Sequence, residues 1–138
     1  MLHDLARLWS EGRLLEEADR RGIAVGAFER ANPIVLHAVV GAELARDEFG
    51  VTDEGVLSAI RKHTVADAVM EPLDAVVYLA DGLEPGRDFP ERAALAELAL
   101  VDLDAALAAV IASSVRYLKS RGLEAAPQTL AAVGTLKE

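Results

Sequence analysis

Asp53-Glu54-Gly55-Val56-Leu57-Ser58-Ala59-Ile60-Arg61-Lys62-His63-Thr64 is the stretch that decides how the rest of the chain reads. Val56, Leu57, Ile60 and His63 recur at the three- and four-residue spacing of one helix face. Thr52 or Asp53 stands where a short polar side chain can cap the first turn. The stripe is apolar until its last position, which sets an imidazole on the side that should meet the core. A polar group buried there unpaired would cost several kcal/mol, so His63 requires a partner.

Working outward, the same punctuation repeats. Upstream, Asn32-Pro33 ends a loop, because proline disfavours helix at the residue before it. A helix then runs from near Pro33 to about Asp47 and closes at Gly50, with His37 in its first turn. Residues 2–10 read as a short first helix ending near Gly12, and residues 13–21 as a second ending at Gly22. Downstream, Pro72 suits the first turn of a helix carrying Leu73, Val76, Val77 and Ala80, with Asp81 continuing the row set by Leu73 and Val77. That helix ends near Glu84-Pro85-Gly86, and Pro90 opens another to about Ala99. Asp102 caps a long helix with Leu103, Leu107, Val110, Ile111 and Leu118 on one side, ending at Gly122, and Pro127 starts a last short one. No strand is expected. The fold class is all-α, a compact helical bundle, and 138 residues suit a single domain.

Composition agrees. The apolar residues are mostly Ala, Leu and Val, and aromatics make up only 4%. Ala and Leu lose little side-chain freedom in a helix, whereas the strand-forming aromatics and Thr are scarce. There is no cysteine, which excludes disulfides and thiolate metal sites and leaves imidazole and carboxylate as the available ligands. The formal charge of −9 disfavours nucleic-acid binding. It would also repel a phosphate-rich small molecule unless bound cations reverse the local field. The start resembles no signal peptide and no run reaches the roughly 20 apolar residues of a membrane span, so a cytoplasmic protein is expected.

His3-Asp4 is weak as a dipeptide, but its context strengthens it: His37, His63 and Asp81 are polar groups placed where helices should face the core. A shared metal would satisfy several of them at once; ordinary hydrogen bonds are the alternative. Trp9 reads as a core anchor and Glu16-Glu17-Ala18-Asp19 as a solvated helix face.

Leu2-His3-Asp4-Leu5-Ala6-Arg7, Ala31-Asn32-Pro33, Leu36-His37, Val40-Gly41-Ala42 and Ile60-Arg61-Lys62-His63-Thr64 follow one another along the chain. Leu79-Ala80-Asp81, Glu84-Pro85-Gly86-Arg87-Asp88-Phe89, Arg116-Tyr117-Leu118, Arg121-Gly122 and Pro127-Gln128-Thr129-Leu130 continue the series. In kind, order and interval this series resembles the bacterial YqeK family of HD-domain phosphohydrolases, the symmetrical diadenosine tetraphosphatases. The resemblance implies a helical HD domain that holds two divalent metals, iron first and manganese or zinc as alternatives. It implies cleavage of diadenosine tetraphosphate into two ADP molecules through a water bridging the metals. By motif, Asp4 would bridge the metals, His37 and His63 would complete one site, and His3 and Asp81 would belong to the other. Asp4 and Asp81 would be the catalytic carboxylates. Arg87 would grip phosphate, since its planar fork binds oxygens in pairs, and Lys62 and Thr64 would border the substrate.

The chain departs from the family's pattern in three places. Family members carry a further N-terminal helix whose histidine ligates the metal site containing His3; a start upstream of Met1 is the favoured expectation, over a truncated product or a natively shortened protein, with the 138-residue chain weakly active or inactive by itself. The surface such a helix would cover could support a homodimer. Ala66 stands where the family often has Gly, and Gly82 where an aromatic commonly follows the Leu-Ala-Asp motif. The competing readings are a degenerate HD domain that binds a nucleotide or a partner without catalysis, and a hydrolase of another nucleotide phosphate ester.

Overall fold

The computed structural model describes residues 2–136, and the chain divides into two compact units, Met1–Thr64 and Val65–Glu138. All regular structure among the described residues is helical, as the sequence predicts.

The first unit is organised by α3 (Leu36–Phe49), which packs against α1 (Glu11–Arg20), α4 (Glu54–Lys62) and the short 3-10 turn Leu2–Asp4. Eight of its residues are buried, among them the small Ala38, Gly41, Ala42 and Ala45. Small side chains let neighbours approach closely: a Cβ on Gly41 would lie 3.6 Å from the His3 carbonyl oxygen. On one side Leu36, Val40 and Leu44 pack with Ala6, Leu14 and Ala18; on the other, Ala42 and Ala45 pack with Leu57 and Ile60. Burying such side chains is worth roughly 1.5–3 kcal/mol each, which fixes α4 and its final histidine against α3. Gly50, in the left-handed region at φ 67°, closes α3, and the amide of Val51 donates to the Ala45 carbonyl across the turn. Asp53 caps α4 by accepting from the Val56 amide at 3.1 Å.

The expected helix over residues 2–10 is not formed. The 3-10 turn Leu2–Asp4 is followed by turns, and Ser10 caps α1 by accepting from the Arg13 amide, so Gly12 lies inside a helix rather than ending one. The cap outweighs the cost of a glycine in the first turn. A one-turn helix, α2 (Ala27–Ala31), also occupies the expected loop. Trp9 is partly buried against the Leu14 cluster, with the Arg13 guanidinium 3.5 Å from its ring centre.

The second unit holds α5 (Pro72–Gly82), α6 (Arg92–Val101), α7 (Leu103–Ser120) and α8 (Pro127–Leu136). α7 packs against the other three. Its Leu107, Val110 and Ile111 meet Ala75, Tyr78 and Leu79 of α5 and Ala132 of α8. Asp102 caps α7 by accepting from the Ala105 amide. Two expectations fail here. α5 buries Asp74, Ala75, Tyr78 and Leu79, while Leu73, Val76 and Ala80 are exposed, so the true stripe is displaced around the helix. Ala75, Tyr78 and Leu79 carry that face into the core with α7, and Asp74 enters beside them with its carboxylate accepting from the Glu71 amide at 2.9 Å. The helix expected from Pro90 begins at Arg92 and leaves Leu100 and Val101 exposed at its end. Ala66, buried at φ 63°, is the one non-glycine with positive φ among the described residues. An alanine there carries a cost of roughly 1–2 kcal/mol.

Candidate metal centre

In the first unit three imidazoles and a carboxylate come together from three elements. His3 and Asp4 sit on the first 3-10 turn, His37 opens α3, and His63 is the C-cap of α4. The His37 and His63 rings are buried and meet edge to face, with centroids 5.1 Å apart. The His3 ring meets His63 the same way at 4.8 Å. Asp4 Oδ1 lies 3.6 Å from His37 Nε2 and 3.5 Å from His63 Nε2, and its Oδ2 lies 3.4 Å from His3 Nε2. Ligand atoms of His3, Asp4 and His63 all fall within 4.8 Å of one another.

The two buried histidines are oriented by one device. His37 Nδ1 donates to the Ile34 carbonyl at 2.7 Å, and His63 Nδ1 donates to the Ile60 carbonyl at 2.6 Å. A carbonyl can only accept, so in each neutral ring the proton sits on Nδ1 and Nε2 carries a lone pair. Those two Nε2 atoms face each other at 3.2 Å. The Thr64 hydroxyl stands 3.2 Å from both, but its single hydrogen can serve only one. Two lone pairs aimed together beside a carboxylate call for a cation. The spacing suits one: nitrogens each about 2.1 Å from a shared ion lie roughly 3–3.4 Å apart. A carbonyl holding the far ring nitrogen is also how metal-bound histidines are fixed. Burial, chiefly, pushes the His37 pKa down, with the Ile34 carbonyl acting against it, so the ring stays in the neutral form that ligates.

The residues therefore fit a divalent metal, and a His/Asp site for one is present. Nitrogen and carboxylate donors suit iron, manganese and zinc alike.

The remaining sequence candidates are placed as follows. Lys62 ends α4, partly exposed, and Thr64 joins the imidazole cluster directly. Asp81 lies in the last turn of α5 in the second unit, 28% exposed at its side chain. Arg87 pairs with it: Nη2 is 3.5 Å from Asp81 Oδ2, and Nε donates to the Asp81 carbonyl at 3.2 Å. Sequence reasoning missed the Ile34 and Ile60 carbonyls and the double contact of Thr64. A signal for the first existed, because Ile-x-x-His occurs at both Ile34–His37 and Ile60–His63, and in a helical turn the imidazole can reach back three residues.

Comparison with known proteins agrees with this chemistry. The family model described as HD domain matches residues 1–86. A Bacillus subtilis protein named bis(5'-nucleosyl)-tetraphosphatase, symmetrical, is 34% identical over 129 residues, covering 94% of this chain and 69% of that protein. A protein of the same name from Halalkalibacterium halodurans is 36% identical over 102 residues, covering 74% of this chain and 54% of that one. The chain thus spans about two thirds of the first relative's length and about half of the second's. The crystal structure of a predicted HD superfamily hydrolase involved in NAD metabolism from Clostridium acetobutylicum matches with a TM-score of 0.94 at 30% identity. It covers 99% of this chain and 72% of that one. With the family model spanning more than half its length and a relative above 30% identity, this chain belongs to the HD-domain family, among relatives named as symmetrical bis(5'-nucleosyl)-tetraphosphatases.

Proposed function

We propose that the chain acts as a single HD domain that hydrolyses dinucleoside polyphosphates with divalent metal, cleaving diadenosine tetraphosphate symmetrically into two ADP molecules. One observation carries the reading: two buried imidazole lone pairs face each other at 3.2 Å beside the Asp4 carboxylate. The relatives' names supply the substrate, and the matched span of residues 1–86 includes His3, Asp4, His37, His63 and Asp81. In this reading His37 and His63 with Asp4 hold one ion, and Asp4, His3 and Asp81 hold a second. Iron is the expected metal, with manganese or zinc able to replace it.

When bound, such metals supply Lewis acidity toward the phosphate oxygens and a water acidic enough to attack at neutral pH. The chain's own residues do the rest. The Ile34 and Ile60 carbonyls accept from the Nδ1 atoms and so hold the two rings with Nε2 aimed at the site. Arg87 releases its pairing to Asp81 and takes phosphate oxygens in its fork, while Lys62 and Thr64 border the polyphosphate. The substrate is a small molecule; nucleic acid and membrane are not partners, and no described helix is long and apolar enough to cross a membrane.

The test is incubation of the purified chain with diadenosine tetraphosphate and iron(II) or manganese(II), against a chelated control. Metal-dependent release of ADP as the sole nucleotide is expected, weak or absent from the 138-residue chain by itself and full from a form extended upstream of Met1. AMP and ATP as products would remove the symmetrical assignment, and a chain that binds no divalent metal would remove the hydrolase reading.

A further inference from the structure

Thr64 stands where the neighbour of a buried histidine is not ordinarily found. Consecutive side chains on a helix point about 100° apart, so the residue after His63 should face away from its ring. α4 ends at Lys62, however, and Thr64 lies beyond the His63 cap. Its hydroxyl oxygen returns to 3.2 Å from His63 Nε2 and stands at the same 3.2 Å from His37 Nε2, which α3 carries. Hydrogen bonding accounts for half of this. One hydroxyl hydrogen satisfies one nitrogen, and nothing in that bond asks for an equal distance to the second. The two Nε2 atoms are themselves 3.2 Å apart, so three atoms with lone pairs form an equilateral triangle. That is the spacing of neighbouring donors on one ion, since bonds of about 2.1 Å set them roughly 3–3.4 Å apart. Asp4 Oδ1 adds a fourth donor, 3.6 and 3.5 Å from the same nitrogens. All four residues belong to the first unit.

We propose that Thr64 is a metal ligand: its hydroxyl oxygen joins His37 Nε2, His63 Nε2 and Asp4 Oδ1 in the donor set of one divalent ion. This rests on the reading that the two histidines hold such an ion, and adds to it a neutral oxygen. A threonine hydroxyl is the kind of donor that holds magnesium in phosphate-binding loops. It weights the site toward metals that favour oxygen, manganese(II) before zinc(II), against the pull of two imidazoles.

The experiment measures manganese(II) and zinc(II) affinity separately, by titration calorimetry on the full chain, for the parent, Thr64→Val, Thr64→Ser and His63→Ala. Thr64→Val keeps the shape and removes the oxygen. Its manganese affinity should fall at least about tenfold, a loss that even residues outside a ligand set produce. Its ratio of manganese to zinc affinity should fall as well. Thr64→Ser keeps the oxygen and should match the parent with both ions. His63→Ala should lose binding of either. If Thr64→Val binds manganese like the parent or more tightly, the hydroxyl is only a hydrogen-bonding neighbour of the rings. The proposal is then overturned, while the reading of the histidines stands. Losses as large or larger for zinc overturn it too, because a disturbed histidine pair accounts for them without a missing oxygen. If the parent binds neither ion, or His63→Ala binds as the parent does, the reading of the histidines fails and the proposal with it. Should Thr64→Val fold poorly, Thr64→Ala is measured in its place and the same outcomes decide.

Discussion

His37 and His63 turn their Nε2 atoms toward each other at 3.2 Å while each commits its Nδ1 proton to a backbone carbonyl. Neither ring then has a proton of its own to offer the other, and a cation bound in that gap would stabilise the folded chain. Saturation with manganese(II) at a hundredfold over its dissociation constant should therefore add about 2.7 kcal/mol to unfolding stability. Urea titrations with and without chelator measure it. In His37→Ala and Asp4→Asn the metal-dependent increment should shrink or vanish; an undiminished increment would place the ion elsewhere.

Arg87 pairs with Asp81 through both its backbone carbonyl and its carboxylate. If the guanidinium fork also takes phosphate, Arg87→Lys keeps the charge but loses the paired contact. The KM for diadenosine tetraphosphate should rise about tenfold in Arg87→Lys and further in Arg87→Ala, from the loss of charge-assisted hydrogen bonds. Steady-state kinetics decide it, and an unchanged KM in Arg87→Ala would return Arg87 to a purely structural pairing.

Glu17 is the acidic centre of a small ion network. Hydrogen bonds from Arg20 and then Arg21 hold its carboxyl at about 2, below the ordinary 4.5, and Arg21 also reaches Asp47. A carboxyl with a lowered folded pKa contributes stability above its unfolded pKa and loses it on acidification. The stability gap between the parent and Glu17→Gln should be constant at neutral pH and close as pH falls from about 4.5 to about 2. High salt should narrow it, since the pairs are near the surface. Chemical denaturation at stepped pH follows the gap.

Ala66 tolerates one direction of change better than the other. Ala66→Val places a branched side chain at φ 63° in a buried turn and should cost about 2 kcal/mol or more. Ala66→Gly relieves the backbone but removes a buried methyl and loosens the unfolded chain, so its net change should stay within about 1 kcal/mol. Equilibrium unfolding of both variants tests the contrast.

Leu57 is fully buried and Leu100 is 87% exposed, although both are leucines on helices. Leu57→Ala should cost about 2–5 kcal/mol and Leu100→Ala no more than about 0.5 kcal/mol. Matching losses would mean that the exposed end of α6 is covered in solution.

The helical class, the long helices and the histidine positions were legible because they rest on local rules. Asp53 caps where a short polar side chain should, and Leu57, Ile60 and His63 face inward at helical spacing. Misreadings arose where two local rules competed. Gly12 reads as a stop, but the Ser10 cap two residues earlier makes it the second residue of a helix. Leu73 and Val76 read as core, but the larger Tyr78 and Leu79, with Ala75, take the face that packs with α7 and leave them exposed. For the site, His3, Asp4, His37 and His63 could be singled out from sequence and are found together. In the second unit, the hydrogen bond from Thr129 to the Val65 carbonyl could not be, because no local pattern announces a bond across 64 positions.

Asp4 is the most exposed member of the cluster. The His63 side chain is 1% exposed and His37 7%, whereas Asp4 is 44% exposed. Ions would thus arrive and depart past the carboxylate, with the imidazoles as a fixed back wall. A doorway of that kind favours exchange over trapping. Which metal the protein carries should then follow the ambient supply, and occupancy should track changes in that supply within the lifetime of a single folded molecule.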